Sequence, residues 1–464
     1  MGQDVLRTAE ESEQTGRPAR VRWWRDGFQP ILTRLHFYVG IFVAPFILVA
    51  ATTGLLYTTM PQVEQLVYAD YLKVPAGATP LPLAEQVRAA QATQPDGVIT
   101  EVRPATGRTD TTRVSFTSPS VPEDYARTAF VDPYTGHVHG SLTTFGEWLP
   151  LRAWFDGLHR TLLLGNFGRL YSELAASWLW VLAVSGGALW IVRRRKQGHR
   201  RRLVLPGRHK PGRRRALSWH GPLGLWILAG MLFLSVTGLT WSQFAGNNVS
   251  ELRSNLTWST PSPLTNTGAV DHIARADVPA AIERAEQTAR GAGLDGLIKI
   301  VPAEKGAWLV GQAKRSWPEK QDQIAVDPGT GKVLERVDFA DWPLAAKLAR
   351  WGIDAHMGLL LGIVNQLLLA ALAITLITMI CLGYRMWWLR RPRGADRRTQ
   401  LAPPLSTGRA PHRVAVLVIA CLAIPIGVFA PMLGGSLLLF LVIDLLRDAR
   451  PRLGRQPDDN PATN

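Results

Sequence analysis

Cysteine is almost missing from this chain. Only Cys381 and Cys421 occur, both inside apolar runs. The polar stretches therefore hold no disulfide, and no Cys-x-x-Cys-His site exists for covalent haem attachment. Each cysteine reads as a small buried hydrophobe. Also missing are a P-loop, a His-Glu-x-x-His site and a Gly-x-Ser-x-Gly elbow, which removes three common routes to hydrolase chemistry. Gly291 to Gly296 matches the dinucleotide fingerprint letter for letter. It follows a helix-like run where a strand is required, so it is read as a coincidence.

Acidic residues are outnumbered, 36 against 52 Lys and Arg, for a net charge of +16. The excess is not spread evenly. Lys and Arg number 6 in residues 1–34, 12 in 193–217, 8 in 385–413 and 4 after 446. The long segments between are balanced, with 9 basic against 11 acidic residues in 59–169 and 13 against 14 in 242–357. Clustering of this kind in short loops marks the cytoplasmic side of a membrane protein, and it argues against a nucleic-acid partner.

Apolar runs long enough to cross a ~30 Å hydrocarbon core lie near 35–57, 170–192, 221–241 and 359–382. Two shorter runs, near 414–430 and 432–446, flank Pro431. The first run has no cleavage site and is expected to stay as an anchor. Threading the basic loops between these runs puts both termini inside and the two balanced segments outside.

The chain also repeats itself. Thr53-Gly54 begins seventeen residues after His36, and Thr237-Gly238 begins seventeen after His220. His159 is followed at six and twenty-seven residues by Gly165 and Gly186, and His356 at the same offsets by Gly362 and Gly383. Each half holds a soluble stretch ending in a matched turn, Asp132-Pro133-Tyr134-Thr135-Gly136 or Asp327-Pro328-Gly329-Thr330-Gly331. Pro fixes the entry of such a turn and Gly accepts its positive φ. Helix-like segments at 83–92 and 278–291 precede alternating strands at 112–117 and 307–311. Both copies start inside, so the halves are parallel repeats related by a pseudo-twofold axis along the membrane normal.

Histidine in an apolar helix needs a partner. The symmetry brings His36 and His220 to one level near the inner face, and His159 and His356 to one level near the outer face. Facing imidazoles are what axial ligation of a b-type haem requires. Two pairs give two haem b groups with His36, His220, His159 and His356 as iron ligands. Gly40, Gly224, Gly54 and Gly238 suit either a macrocycle close to the backbone or tight helix packing. Arg34, Arg215, Arg160 and Arg350 lie near the ligands and could pair with propionates. From His159 to Arg193 a continuous helix would run roughly 51 Å, longer than the membrane, so a kink is expected near Gly165 and Gly362. His137 and His139 alternate on a strand but face Lys332 and Leu334 in the second repeat, and are read as ordinary surface residues.

This pattern resembles the PepSY-associated transmembrane family, typified by iron-regulated membrane proteins and siderophore-linked ferric reductases. The resemblance rests on Leu35-His36 with Gly40 and Thr53-Gly54, the Asp132 turn, Leu158-His159-Arg160 with Gly165, His220 with Gly224, and His356-Met357-Gly358 with Gly362. It spans about residues 30–390. It implies PepSY-type exterior domains, haem b and electron transfer across a bacterial inner membrane, with a ferric siderophore as acceptor. The runner-up is a PepSY-type binding or regulatory protein that carries no catalysis. No flavin or nicotinamide domain is evident, so the electron donor, a quinol or a cytoplasmic reductase, is a separate molecule. Trp148, Trp154, Trp258 and Trp317 are candidate acceptor contacts.

The expected fold is a polytopic α-helical membrane protein with lipid around a four-helix core. The boundaries are a cytoplasmic segment over 1–30, a first span over 31–58, an exterior domain over 59–157, and an interfacial segment with a second span over 158–193. A basic cytoplasmic loop follows over 194–217, then a third span over 218–241 and a second exterior domain over 242–354. An interfacial segment with a fourth span covers 355–389, a cytoplasmic loop 390–412, a membrane hairpin 413–447 and a cytoplasmic tail 448–464.

Overall fold

The computed structural model describes residues 28–196, 203–207, 210–265, 273–390 and 413–449. Trp23-Trp24-Arg25, a stretch that reads as an interfacial anchor, lies outside them, as do most of the terminal segments and basic loops. The helices run in chain order as α1 (Gln29–Phe42), α2 (Ala44–Tyr57), α3 (Met60–Val67), α4 (Ala69–Leu72), α5 (Leu83–Thr93), α6 (Pro150–Thr161), α7 (Gly165–Lys196) and α8 (Arg213–Trp226). They continue as α9 (Leu228–Leu239), α10 (Phe244–Asn255), α11 (Val278–Gly291), α12 (Leu344–His356), α13 (Ile363–Trp388), α14 (Arg413–Phe429) and α15 (Pro431–Ala449).

Among the described residues α7 and α13 are each long and apolar enough to cross a membrane, and the pairs α1–α2 and α8–α9 bring the number to four if each broken pair is one span. The first break has a local cause. Pro45, second in α2, cannot donate to the carbonyl four residues back and crowds it. That carbonyl belongs to Ile41, and it accepts from the Tyr384 hydroxyl instead at 2.8 Å. Pro222 lies inside α8, and the helix is interrupted five residues on, at Ile227.

The chain divides into two compact units, one of Met1–Val43, Val181–Trp226 and Leu382–Asn464, the other of Ala44–Trp180 and Ile227–Cys381. The first holds α1, α8, the ends of α7 and α13, and the α14–α15 hairpin. The hairpin closes at Ala430, where a Cβ on Gly427 would come within 3.0 Å of the Gly434 Cα. Its apolar lengths, Leu417–Phe429 and Pro431–Ile443, are shorter than the two crossing helices. Cys381 and Cys421 are exposed, which corrects the expectation that they are buried. An apolar side chain on a membrane helix satisfies itself against lipid as readily as against protein.

The second unit is built on one eight-stranded antiparallel sheet. Its strands are β1 (Ile99–Arg103), β2 (Thr112–Phe116), β3 (Ala126–Val131), β4 (Val138–Thr144), β5 (Ile298–Val301), β6 (Trp308–Gln312), β7 (Gln323–Val326) and β8 (Val333–Val337). Their order is β4-β3-β2-β1-β5-β6-β7-β8. The two soluble segments, expected as separate domains, thus share a single sheet, joined where β1 pairs antiparallel with β5 at Val102 and Ile300. Antiparallel pairing of equivalent strands is what a twofold between repeats demands.

Period-two alternation puts Val114, Phe116, Ile298, Ile300, Ile324 and Val326 on one face. Ala281, Ile282, Ala285 and Ala289 of α11 cover it with Leu83, Val87 and Ala90 of α5, making one core across both repeats. α11 also caps α5, since Glu283 accepts from the Ala84 N–H at 3.1 Å. Both expected turns form. The Asp132 carboxylate accepts from Tyr134 N–H and the Thr135 hydroxyl, each at 2.8 Å. Asp327 does the same with Gly329 and Thr330. Gly136 and Gly331 sit at φ 71° and 77°.

Candidate functional site

In the first unit His36 on α1 and His220 on α8 meet. Their ring centres are 6.4 Å apart with planes at 80°. A metal bound at about 2.0 Å by one imidazole nitrogen on each side would need ring centres about 6 Å apart. His36 Nδ1 lies 3.0 Å from the Ser185 hydroxyl of α7, which donates to the Leu182 carbonyl at 3.3 Å. A Cβ on Gly186 would stand 2.8 Å from His36 Cε1, and one on Gly383 would stand 3.8 Å from His220 Cε1. The glycines counted twenty-seven residues beyond His159 and His356 therefore leave room for the other two histidines.

In the second unit His159, near the end of α6, and His356, the last residue of α12, line one cavity of about 660 Å³. That volume lies within the range of ligand sites, roughly 300–1,000 Å³. Small residues make much of its wall: Ala50, Ala51, Gly54, Ala175, Ala176 and Gly238. A Cβ on Gly54 would come within 3.2 Å of His159 Cε1. Trp148 also lines the cavity, and its buried Nε1 has no hydrogen-bond partner among the described residues. The expected kinks are present. Gly165 and Gly362 adopt φ 57° and 56°, and Leu162 and Leu163 take the same sign without glycine's freedom. Strain of this kind beside a cavity is typical of functional sites.

Two threonines settle the state of these rings. Thr53 on α2 stands 2.9 Å from His159 Nδ1, and Thr237 on α9 stands 2.6 Å from His356 Nδ1. Each hydroxyl already donates its one proton four residues back, Thr53 to Val49 at 2.8 Å and Thr237 to Phe233 at 2.7 Å. The hydroxyl oxygen must then accept from Nδ1–H, which assigns the tautomer from the network. Nε2 of each neutral ring is left as a bare lone pair, the form in which histidine binds a metal. The repeated Thr-Gly step was visible in the sequence, but its partner was not. It is counted from His36 and His220, and it serves His159 and His356.

Arg160 lines the cavity as expected; Arg169 and Arg315, not anticipated, line it too. Arg350 instead pairs with Asp354 at 2.9 Å, and Arg34 lies over the Tyr38 ring. Arg315 joins three elements. It donates to Asp354 at 2.6 Å, to Glu147, and to the Met357 sulfur at 3.2 Å. Glu147 also accepts from Arg103 at 3.2 Å. Burial alone would raise the Glu147 carboxyl, but Arg315 and Arg103 outweigh it and hold the group down at about 2. For Asp354 burial wins, and its carboxyl is raised despite Arg315 and Arg350. Asp354 is fully enclosed two residues before His356, so this cluster fixes the end of the helix that carries the histidine.

The family model of the PepSY-associated TM region matches residues 33–390. The chain belongs to that family. No curated protein matches it. In this PepSY-associated protein the matched stretch takes in all four histidines, both threonines and the whole sheet, while the α14–α15 hairpin lies beyond it. Of the tryptophans singled out as acceptor contacts, Trp148 is on the cavity wall; Trp154, Trp258 and Trp317 are exposed elsewhere. His137 and His139 meet edge to face with ring centres 5.2 Å apart. Gly291 ends α11 and leads into β5, the reverse of a dinucleotide turn.

Proposed function

We propose that this PepSY-associated protein is a dihaem b electron-transfer protein of a bacterial inner membrane, acting as a transmembrane ferric reductase. The observation that carries the reading is the pair of Thr–His bonds, repeated in both halves, that leave Nε2 of His159 and His356 bare beside a cavity of ligand size. His159 and His356 would hold one haem, and His36 and His220 the other. Bound haem supplies one-electron Fe(III)/Fe(II) chemistry. Thr53, Thr237 and Ser185 keep the Nδ1 protons in place. Arg160 and Arg169 offer cations to propionates, Trp148 offers a free N–H, and the glycine and alanine walls leave the space open.

A separate donor, a quinol or a cytoplasmic reductase, is oxidised by one electron for each Fe(III) reduced to Fe(II) outside. A ferric siderophore is the acceptor this reading favours, because the softer and less charged Fe(II) is held less tightly by oxygen ligands. Purified protein from haem-replete cells should be red, with a Soret band that shifts on dithionite reduction and recovers on adding ferric chelate. A colourless preparation would leave the binding or regulatory reading in its place.

The orientation has its own test. Cysteine introduced at Asp132 or Asp327 should react with an impermeant thiol reagent in intact spheroplasts, whereas cysteine at Gln197 should not, because the basic loops are retained inside. Labelling at Gln197 alone inverts the topology and the direction of electron flow.

A further inference from the structure

The basic connector between the repeats contains an apolar tetrapeptide, Leu203-Val204-Leu205-Pro206. Residues 203–207 have little regular structure, yet three side chains from neighbouring helices bind their backbone. Trp190 of α7 donates its indole N–H to the Leu203 carbonyl at 2.8 Å. Trp226, the last residue of α8, donates to the Val204 carbonyl at 3.1 Å. Ser218 donates to the Gly207 carbonyl at 3.3 Å. The strap therefore runs beside α8 from Ser218 to Trp226, eight residues or about 12 Å further along the helix axis. It passes the level of His220 on the way, moving from the Arg213–Arg215 end toward the apolar end.

Val204 and Leu205 point outward, 46% and 58% exposed, as does Trp226 at 54%. Apolar side chains turned away from the protein, on a segment held by α7, itself long and apolar enough to cross a membrane, have one natural surrounding. We infer that residues 203–206 form a wedge seated in the lipid bilayer, with phospholipid around Val204 and Leu205. Irregular backbone is tolerated at membrane depth only where its polar groups are satisfied by protein. Here the Leu203 and Val204 carbonyls are each capped by an indole N–H, and Pro206 has no N–H to satisfy. Tryptophan is also the residue most at home at the membrane–water boundary. The arginines of α8 and of the end of α7 stand where anionic headgroups would pair with them. The inference does not depend on haem.

The test uses the full chain with Cys381 and Cys421 changed to Ser, reconstituted in phosphatidylglycerol–phosphatidylethanolamine vesicles. A nitroxide is attached at Leu205→Cys, or at Glu304→Cys as a water-exposed reference. Power saturation with oxygen against a water-soluble nickel chelate should give a several-fold higher oxygen-to-nickel ratio at 205 than at 304. Equal ratios overturn the wedge and make the strap a surface for a soluble partner. Adding Trp226→Phe should return the ratio at 205 toward the reference, because the Val204 carbonyl then needs water. An unchanged ratio in that variant overturns indole capping as the reason the strap can enter lipid.

Discussion

His159→Ala or His356→Ala should lower the haem content from two per chain to one and abolish reduction of exterior ferric chelate. On the proposed pairing each substitution would remove a ligand from one iron only. The pair His36 and His220 keeps both of its imidazoles in these variants, so its haem should stay bound and remain reducible by the physiological donor. His36→Ala should give the opposite pattern. The remaining haem would be re-oxidised by chelate after dithionite reduction, but the donor would no longer fill it. Pyridine haemochrome assays give the count, and stopped-flow spectra give the order of electron transfer. Two haems in every variant, or chelate reduction at the parent rate in His159→Ala, would rule out the pairing and the series arrangement.

Arg315→Ala should be the most destabilising single change in the sheet-bearing unit, at about 3–5 kcal/mol, because removing one partner from a buried ion cluster leaves uncompensated charge. Arg315 is 15% exposed, and it holds both Glu147 and the fully enclosed Asp354. The same cluster sets an acid limb. Glu147 ionises near 2 in the folded protein against an ordinary glutamate value of 4.5. Its contribution is present above about 4.5 and is lost as pH falls toward 2. Without Arg315 the Glu147 carboxyl loses its strongest opposing cation and its folded value moves back up, so the acid limb should be smaller and should finish at higher pH. Thermal unfolding in detergent across this range reads both effects. A variant with the parent midpoint at pH 7 and the parent acid limb would show that the cluster stabilises nothing. The histidine cavity offers a second readout, since a loosened α12 end should broaden or split the low-spin haem signal while two haems remain bound.

Much of this was legible before any coordinates. Internal spacing found both histidine pairs, and long apolar runs marked the helices able to cross a membrane. The Asp-Pro turns located the last hairpin of each repeat, and Gly165 and Gly362 marked the kinks. Elements with a local cause are readable in this way: a turn needs its Gly and Asp within a few residues, and an apolar run announces itself. What failed had distant causes. Arg350 was near His356 in sequence and turned out to serve Asp354, while Arg315, forty-one residues away from His356, reaches the cavity wall. The cysteines looked buried because an apolar run does not say whether protein or lipid covers it.

By itself the sequence determined a membrane protein of the PepSY-associated type, built from two copies of one plan with four histidines at matched places. Those features follow from periodicity, composition and repeat offsets, all of which are properties of the chain taken in order. Only the tertiary structure decided that β1 meets β5 and fuses two soluble segments into a single sheet. An alternating strand records which face is buried, but nothing about which edge finds a partner. Tertiary structure alone also decided that Thr53 and Thr237 answer to His159 and His356. A hydrogen bond across more than a hundred residues depends on where helices pack, and short-range sequence pattern carries no record of that.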